Sequence, residues 1–438
     1  MSALMARFAA QKPDGAAVQE LEGLVRQSVF KPATGIVGEL LQQAADAIDR
    51  AYQPRPGEHR KGRHRLEVQC LFGWFPLERD YYYQPGQGAG HHPADVALGL
   101  EGSQTPALAR LICLEGADEP GFEKAQRHLA ETGGIVVEAR HIQRMVQRVG
   151  ACAQQWQERP QLAGADPGVP ILYVSADGTG VPMRSEALQG RRGKQADGSA
   201  KTLQAYLGCV FTQHHRDAQG HPVRDPDSTT YVSRFGSIHE FGPLLRREAL
   251  RRGMGSSRRV VLLIDGAGGL QAMGTDCFGD AVQIVDFFHA LEHAGAVVES
   301  LLGTREHPEY RPRLSRWARR LLKDGVEGLI SQSRAEAQKR GRSAPVDRAL
   351  HYFESNVPRM QYGTFRAAGY FIGSGVVEAG CRSVIGLRCK QSGMRWSPQG
   401  ASHILALRCV HSSRRLDAFW KHRFHSNASQ YDSLCFHA

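Results

Sequence analysis

Three acidic residues set far apart in the chain, Asp177, Asp265 and Glu378, are the groups best suited by type and setting to do chemistry. Asp177 closes the apolar run that begins at Ile171 and is followed by Gly178. Asp265 closes the run Val260-Val-Leu-Leu-Ile264 and is followed by Gly266. Each run reads as a buried strand delivering its aspartate to the open end, and open α/β sheets hold their chemistry just beyond strand ends. Two such ends would set two carboxylates side by side. A third acid, Glu378, stands near the start of a helix behind Gly373-Ser-Gly375, with cations downstream at Arg382, Arg388, Lys390 and Arg395. Gathered carboxylates are hard oxygen ligands of the kind Mg²⁺ takes.

The elements that must bring these residues together can be read in order. After the strand ending at Asp177, a polar and basic segment carries Arg191, Arg192 and Lys194, and Leu203–Thr212 reads as a second strand. Thr229–Ser233 is a third, and a helix over roughly 239–252 leads to the strand ending at Asp265. Ala281–Val285 is a short fifth strand running through Asp286 into a helix with Phe287 and His289. This order predicts an α/β fold with a ribonuclease-H-like mixed five-stranded sheet. The gap between Asp265 and Glu378 is far longer than a connection requires, which predicts a helical insertion.

Upstream, the spacing predicts a mainly helical region. Residues 15–52 read as two amphipathic helices broken at Lys31-Pro-Ala-Thr-Gly35. Pro54–Arg65 reads as a basic linker, and Leu66–Phe72 with Phe75–Tyr83 as a hairpin. Gln84–Pro93 reads as a solvated glycine-rich loop in which adjacent His91 and His92 make poor chelators. Residues 106–150 hold three helical patterns with breaks at Gly116–Pro120 and Gly133-Gly134. A short helix, a turn and a basic helix exposing Arg140 and Arg144 make a helix-turn-helix-like layout suited to DNA.

The 438 residues are 41% hydrophobic and 23% charged, with a formal net charge of +11 and a pI near 9.3. That balance favours a polyanionic partner. Arg316, Arg319 and Arg320 lie in a basic run around Trp317 with no acid in it, which favours phosphate contact. The nine cysteines form no Cys-x-x-Cys pair, so neither a zinc ribbon nor a disulfide framework is written in them. No run approaches the roughly 18 apolar residues that cross a bilayer, and the first residues lack a secretory pattern. The expected place of work is the cytoplasm, at the nucleoid.

Taken in order, Asp177-Gly-Thr-Gly-Val-Pro182, Ile264-Asp-Gly-Ala267, Val285-Asp-Phe-Phe-His289 and Gly373-Ser-Gly-Val-Val-Glu378, then a basic Gly393-Met-Arg-Trp396 block, resemble the catalytic signature of bacterial insertion-sequence transposases of the DDE superfamily, Mutator-like type. The likeness spans roughly residues 65–425. It implies that Asp177, Asp265 and Glu378 hold two Mg²⁺ (or Mn²⁺) ions, with Asp286 and His289 in support. It also implies double-stranded DNA partners, namely terminal inverted repeats and target DNA, and a homodimer or higher oligomer. Relatives often carry a Cys-x-x-Cys knuckle after the hairpin, where Gln84 and Gln87 stand here.

The expected organisation has residues 1–64 as helical region and linker and 65–160 as the DNA-binding region. The sheet core occupies 165–290, the helical insertion 291–368, the glutamate helix with the basic end of the core 369–425, and a tail 426–438. A nuclease on the same core, or a DNA-binding relative that no longer cuts, are the alternatives.

Overall fold

The computed structural model describes residues 14–86, 88, 90–159, 168–193, 195 and 198–435. They form two compact units, one of the described residues up to 148 together with those from 416 on, the other of those between 149 and 415.

The first unit is built on α1 (Gly15–Ala51) packed against the hairpin of β1 (His59–Gln69) and β2 (Trp74–Tyr83). Among the helices that follow are α2 (Pro106–Asp118), α3 (Phe122–Gly133) and α4 (Ala139–Glu158), with the unit boundary falling inside α4. The expected break at Lys31–Gly35 is absent, and α1 runs through Pro32. An internal proline removes one helix bond and crowds the preceding turn, at a cost of about 3 kcal/mol. Both sides of Pro32 are anchored to the same hairpin, which offsets that cost: Phe30 packs edge-on to Phe72, while Val37, Leu41, Ala45 and Ile48 join the core of Val68, Phe75 and Leu77.

The basic stretch is likewise no free linker, because residues 59–65 are the first half of β1. Its cations meet acids that lie elsewhere in the chain: Arg60 grips Asp80 with two bonds of 2.6 and 2.7 Å, and Arg63 reaches Asp46 at 2.6 Å. The glycine-rich loop is exposed at Pro85, Gly86 and Gly88, as expected, while its two histidines are half-buried. His91 pairs through its backbone with Tyr82, and His92 packs against His64 and Tyr81. Burial, with Arg79 next in weight, lowers the His92 pKa to about 4.

The second unit holds a mixed five-stranded sheet. Its strands are β3 (Ile171–Pro182), β4 (Thr202–Gln213), β5 (Thr230–Phe235), β6 (Arg259–Ile264) and β7 (Val282–Val285), in the spatial order β5-β4-β3-β6-β7. The first three pair antiparallel, and β6 and β7 add in parallel beside β3. The strand pleat sorts each run between two cores. Leu172, Val174 and Ala176, with Leu262 and Ile264, face Phe241 and Leu245 of α5 (Ile238–Arg251) and Met273 of α6 (Gly268–Phe278). Tyr173, Val261 and Leu263 face the larger core on the other side.

That larger core is covered by α7 (Phe287–Leu302), α8 (Tyr310–Asp324), α9 (Glu327–Lys339) and α10 (Ser343–Glu354), and by α11 (Gly375–Gly380). Helix α11 continues through a widened π turn, Cys381–Gly386, and ends at Cys389. Val377, Val384 and Ile385 of this segment are fully buried, each contributing about 1.5–3 kcal/mol. Among the described residues no helix is long and apolar enough to cross a membrane.

Candidate active site

The last paired residues of the parallel strands are Ala176 with Ile264, and Ile264 with Val285. The next residue on each strand is an aspartate, so Asp177, Asp265 and Asp286 leave three neighbouring strands at one level. By the alternation of the pleat, Asp177 and Asp265 share the face of Tyr173, Val261 and Leu263, on which α11 lies. Strand β3 does not end at Asp177, where its apolar run closes, but continues to Pro182. Beyond Ala176 it pairs with β4, from Asp177 opposite Leu207 to Pro182 opposite Thr202, and the Pro182 carbonyl also accepts from the Trp396 amide at 3.2 Å.

Helix α11 can reach the sheet because residue 380 is glycine. A Cβ there would stand 2.7 Å from the Tyr231 ring and 3.0 Å from Leu207. This close seat brings Cys381 near Asp177; burial first, then that negative neighbour, pushes the thiol pKa well up. Glu378 stands one turn earlier on the same helix.

Asp286 is fully buried, and its oxygens are committed. Oδ1 accepts from the His289 amide at 2.7 Å and its ring Nδ1 at 3.1 Å, which caps α7. Oδ2 accepts from the Ser374 amide at 2.5 Å. Burial alone would raise this carboxyl, but those donors outweigh it and hold it below its usual range. The Asp286 bond raises His289 to about 9 against the opposing pull of burial, so its ring is a cation at neutral pH.

Ser374 faces two acids. Its amide serves Asp286, and its hydroxyl donates to Glu378 Oε1 at 2.9 Å. The ligand atoms of Asp286, His289 and Glu378 consequently lie within 4.8 Å of one another. Asp177 and Asp265 are not in that 4.8 Å set, and Asp265 senses its members through charge. Burial pushes its carboxyl up, the Ala267 amide and His289 pull against that, and the Asp177 and Asp286 charges add to the rise.

The donor set fits a hard divalent cation. Asp177, Asp265 and Glu378 carry oxygens, and the upward shift of Asp265 comes first from burial, with the charges of Asp177 and Asp286 adding to it. Asp286 and His289 fit the role of ligands less well, since one has its oxygens hydrogen-bonded and the other holds a proton on its ring.

No family model and no curated protein matches this chain. Among solved structures, the Drosophila P element transposase strand transfer complex is similar over 77% of this chain and 81% of that one, at 11% identity and a TM-score of 0.24, a likeness too slight to carry weight.

The expected DNA-facing cations divide by position. Arg140 and Arg144 are exposed on α4 in one stretch, and Arg316 and Arg319 on α8 in another, where Arg320 bonds Gln332. Arg382 is exposed on the π turn. Arg191, Lys390 and Arg395, together with Lys201, which no sequence pattern singles out, line a cleft of about 790 Å³. No carboxylate lines it among the described residues. Lys390 also donates to Thr179, two residues after Asp177. Arg192 is exposed close by in sequence, and Lys194, like Gln87, lies outside the described residues.

Arg388, expected on the DNA-facing side, is instead 1% exposed. Its guanidinium lies 5.0 Å over the Trp396 ring, a stacking that the weakly hydrated, planar cation tolerates in an interior. Ser374, Cys381 and Thr179 had no signal in the sequence beyond their nearness to an acid.

Proposed function

We propose that this chain is a DNA transposase of the DDE type, with a ribonuclease-H-like core that cuts at the ends of an insertion element and joins the freed 3′ hydroxyl to target DNA. The observation that carries this reading is the shared level and face of Asp177 and Asp265, with the Glu378 helix seated on that face. Asp177, Asp265 and Glu378 are the residues that would hold two Mg²⁺ or Mn²⁺ ions. Such ions supply activation of the attacking oxygen and neutralisation of the leaving oxygen in an in-line displacement.

The protein's own part is positioning. Ser374 orients the Glu378 carboxylate, Asp286 fixes both Ser374 and the start of α7, and protonated His289 places one positive charge beside Asp265. Lys390, with Lys201, Arg191 and Arg395, supplies phosphate contacts in the cleft beside the far end of β3, five residues past Asp177. The helices α2–α4, exposing Arg140 and Arg144, take the recognition of element ends, and the chain works as a dimer or larger.

The test uses the DNA flanking the gene as substrate. Wild-type protein with Mg²⁺ should nick at an inverted repeat and join a pre-cut end to a second duplex. Asp177→Asn, Asp265→Asn and Glu378→Gln should each abolish both steps while keeping DNA affinity. Cutting without joining would place the chain with structure-specific nucleases instead, and cutting by any of the three variants would remove that residue from the site.

A further inference from the structure

The turn of the β1–β2 hairpin has a feature that the catalytic reading does not use. Phe72 and Trp74, either side of Gly73, are 40% and 52% exposed. Aromatic side chains of this size bury most of their surface in an ordinary hairpin, and a cluster left open marks a binding face. They stay outside here for two reasons: Phe75, the next residue, fills the core, and Gly73 presses so close to α1 that a Cβ would stand 2.8 Å from Thr34 Oγ1.

Between the turn and α1 lies a groove of about 820 Å³. Phe30, Phe72 and Trp74 form its aromatic wall, with Phe30 and Phe72 edge-on at 5.5 Å between centroids. Arg26 and Lys31 supply its charge, and among the described residues no carboxylate lines it. Arg26 is held in place, its guanidinium 5.1 Å over the Phe30 ring and its Nη2 donating to the Thr132 carbonyl at 3.2 Å.

Open aromatic faces beside a held arginine and a lysine, with no acid among the described lining residues, make the chemistry of single-stranded nucleic acid. Unpaired bases stack on the rings while the backbone meets Arg and Lys. Duplex DNA, whose bases are already stacked on each other, has no use for the rings. We propose that this groove binds a short unpaired stretch of DNA, with its bases against Trp74 and Phe72 and its phosphates at Arg26 and Lys31. The inference rests on the reading that this chain handles DNA, but not on the cleavage chemistry.

The experiment titrates full-length protein with oligothymidylate, and separately with a blunt duplex of equal length, following tryptophan emission and the anisotropy of labelled strands. Oligothymidylate should quench the wild-type signal, and Trp74→Phe should remove most of that change. Trp74→Ala should weaken single-strand affinity by about 5- to 100-fold, in line with loss of base stacking, and leave duplex affinity within about twofold. Lys31→Glu should weaken the same complex and flatten its salt dependence. Equal losses for single strand and duplex, or quenching independent of Trp74, overturn the proposal. So does a Trp74→Ala protein whose sedimentation changes while both affinities hold, since the groove then seats a second copy of the chain. Running the titration on Asp177→Asn separates the two readings. Cleavage by that variant sinks the catalytic assignment and leaves the groove untouched, whereas loss of Trp74-dependent quenching sinks only the groove.

Discussion

Asp177 and Asp265 each follow the last residue of a parallel pairing, Ala176 with Ile264, so the two carboxylates emerge level from adjacent strands and on one face. Residues distant in sequence acquire this relationship from backbone register alone. A slip of one residue in either strand would turn its aspartate to the opposite core.

This crowding sets stability against function at Asp265. Its carboxyl is raised chiefly by burial, so at neutral pH the folded protein carries a charge it disfavours. Asp265→Asn removes that charge. The metal-free variant should unfold at a higher temperature than wild type, on the order of 2–4 °C, as about 1 kcal/mol produces in a domain of this size. It should also lose the thermal stabilisation that Mg²⁺ or Mn²⁺ gives the wild type. Differential scanning calorimetry with and without the ion reads both effects, and a lowered metal-free midpoint would contradict the first.

His289 gives a pH signature of opposite sense. Its folded pKa, about 9, lies above the ordinary 6.5, so its contribution is fully present below pH 6.5 and is lost as pH rises through about 9. His289→Gln should be less stable than wild type at pH 6, on the order of 1 kcal/mol after solvent screening of a ring one-third exposed, and nearly equal to it at pH 9.5. Urea unfolding at the two pH values measures the difference. A gap that is constant with pH would mean the ring is not charged in the folded state.

Ser374→Ala keeps the amide bond to Asp286 and removes only the hydroxyl that orients Glu378. Cleavage should fall about 10- to 100-fold with a matching rise in the metal concentration needed, the usual consequence of losing a group that orients a ligand. Ser374→Thr should restore much of both. An unchanged metal requirement would confine Ser374 to the fold.

Gly380→Ala tests the seating of the Glu378 helix. The added methyl meets the Tyr231 ring and Leu207, so the variant should lose about 1–3 kcal/mol and most of its cleavage together. Full activity in a destabilised protein would show that the helix position matters less than its register with the sheet suggests.

The cations should sort by burial. Charge removal at Lys201, Lys390 and Arg395 should weaken DNA binding and reduce the salt slope by about one for each phosphate no longer neutralised, with the fold intact. Arg388→Ala should lower thermal stability, because it empties a stack inside the protein. Filter binding across a salt series, beside circular dichroism melts, distinguishes the two behaviours.

The strands β3, β6 and β7 were legible because each carries a run of apolar residues closed by Asp-Gly or Asp-Phe, and local pattern decides such segments. The aspartates came with them. The environment of Asp286 was not legible, since its partners come from the start of α7 and from the loop before α11, segments joined only by the fold. Pro32 and the basic run at 59–65 misled for a related reason. Continuous packing carried α1 through the proline, and the acids that neutralise Arg60 and Arg63 lie at Asp80 and Asp46, on other elements. Periodicity marks an amphipathic segment but does not say which distant charge will meet it.

The widened turn after Glu378 has a consequence for everything downstream. A π turn holds one residue more than the regular helix and so advances the phase of whatever follows by about 100°. A single helical wheel drawn from Gly375 to Cys389 does not follow the path of its second half. Deleting one residue from Cys381–Gly386 should restore ordinary winding, while Glu378, upstream of the change, keeps its bearing and Arg388 keeps its place over Trp396.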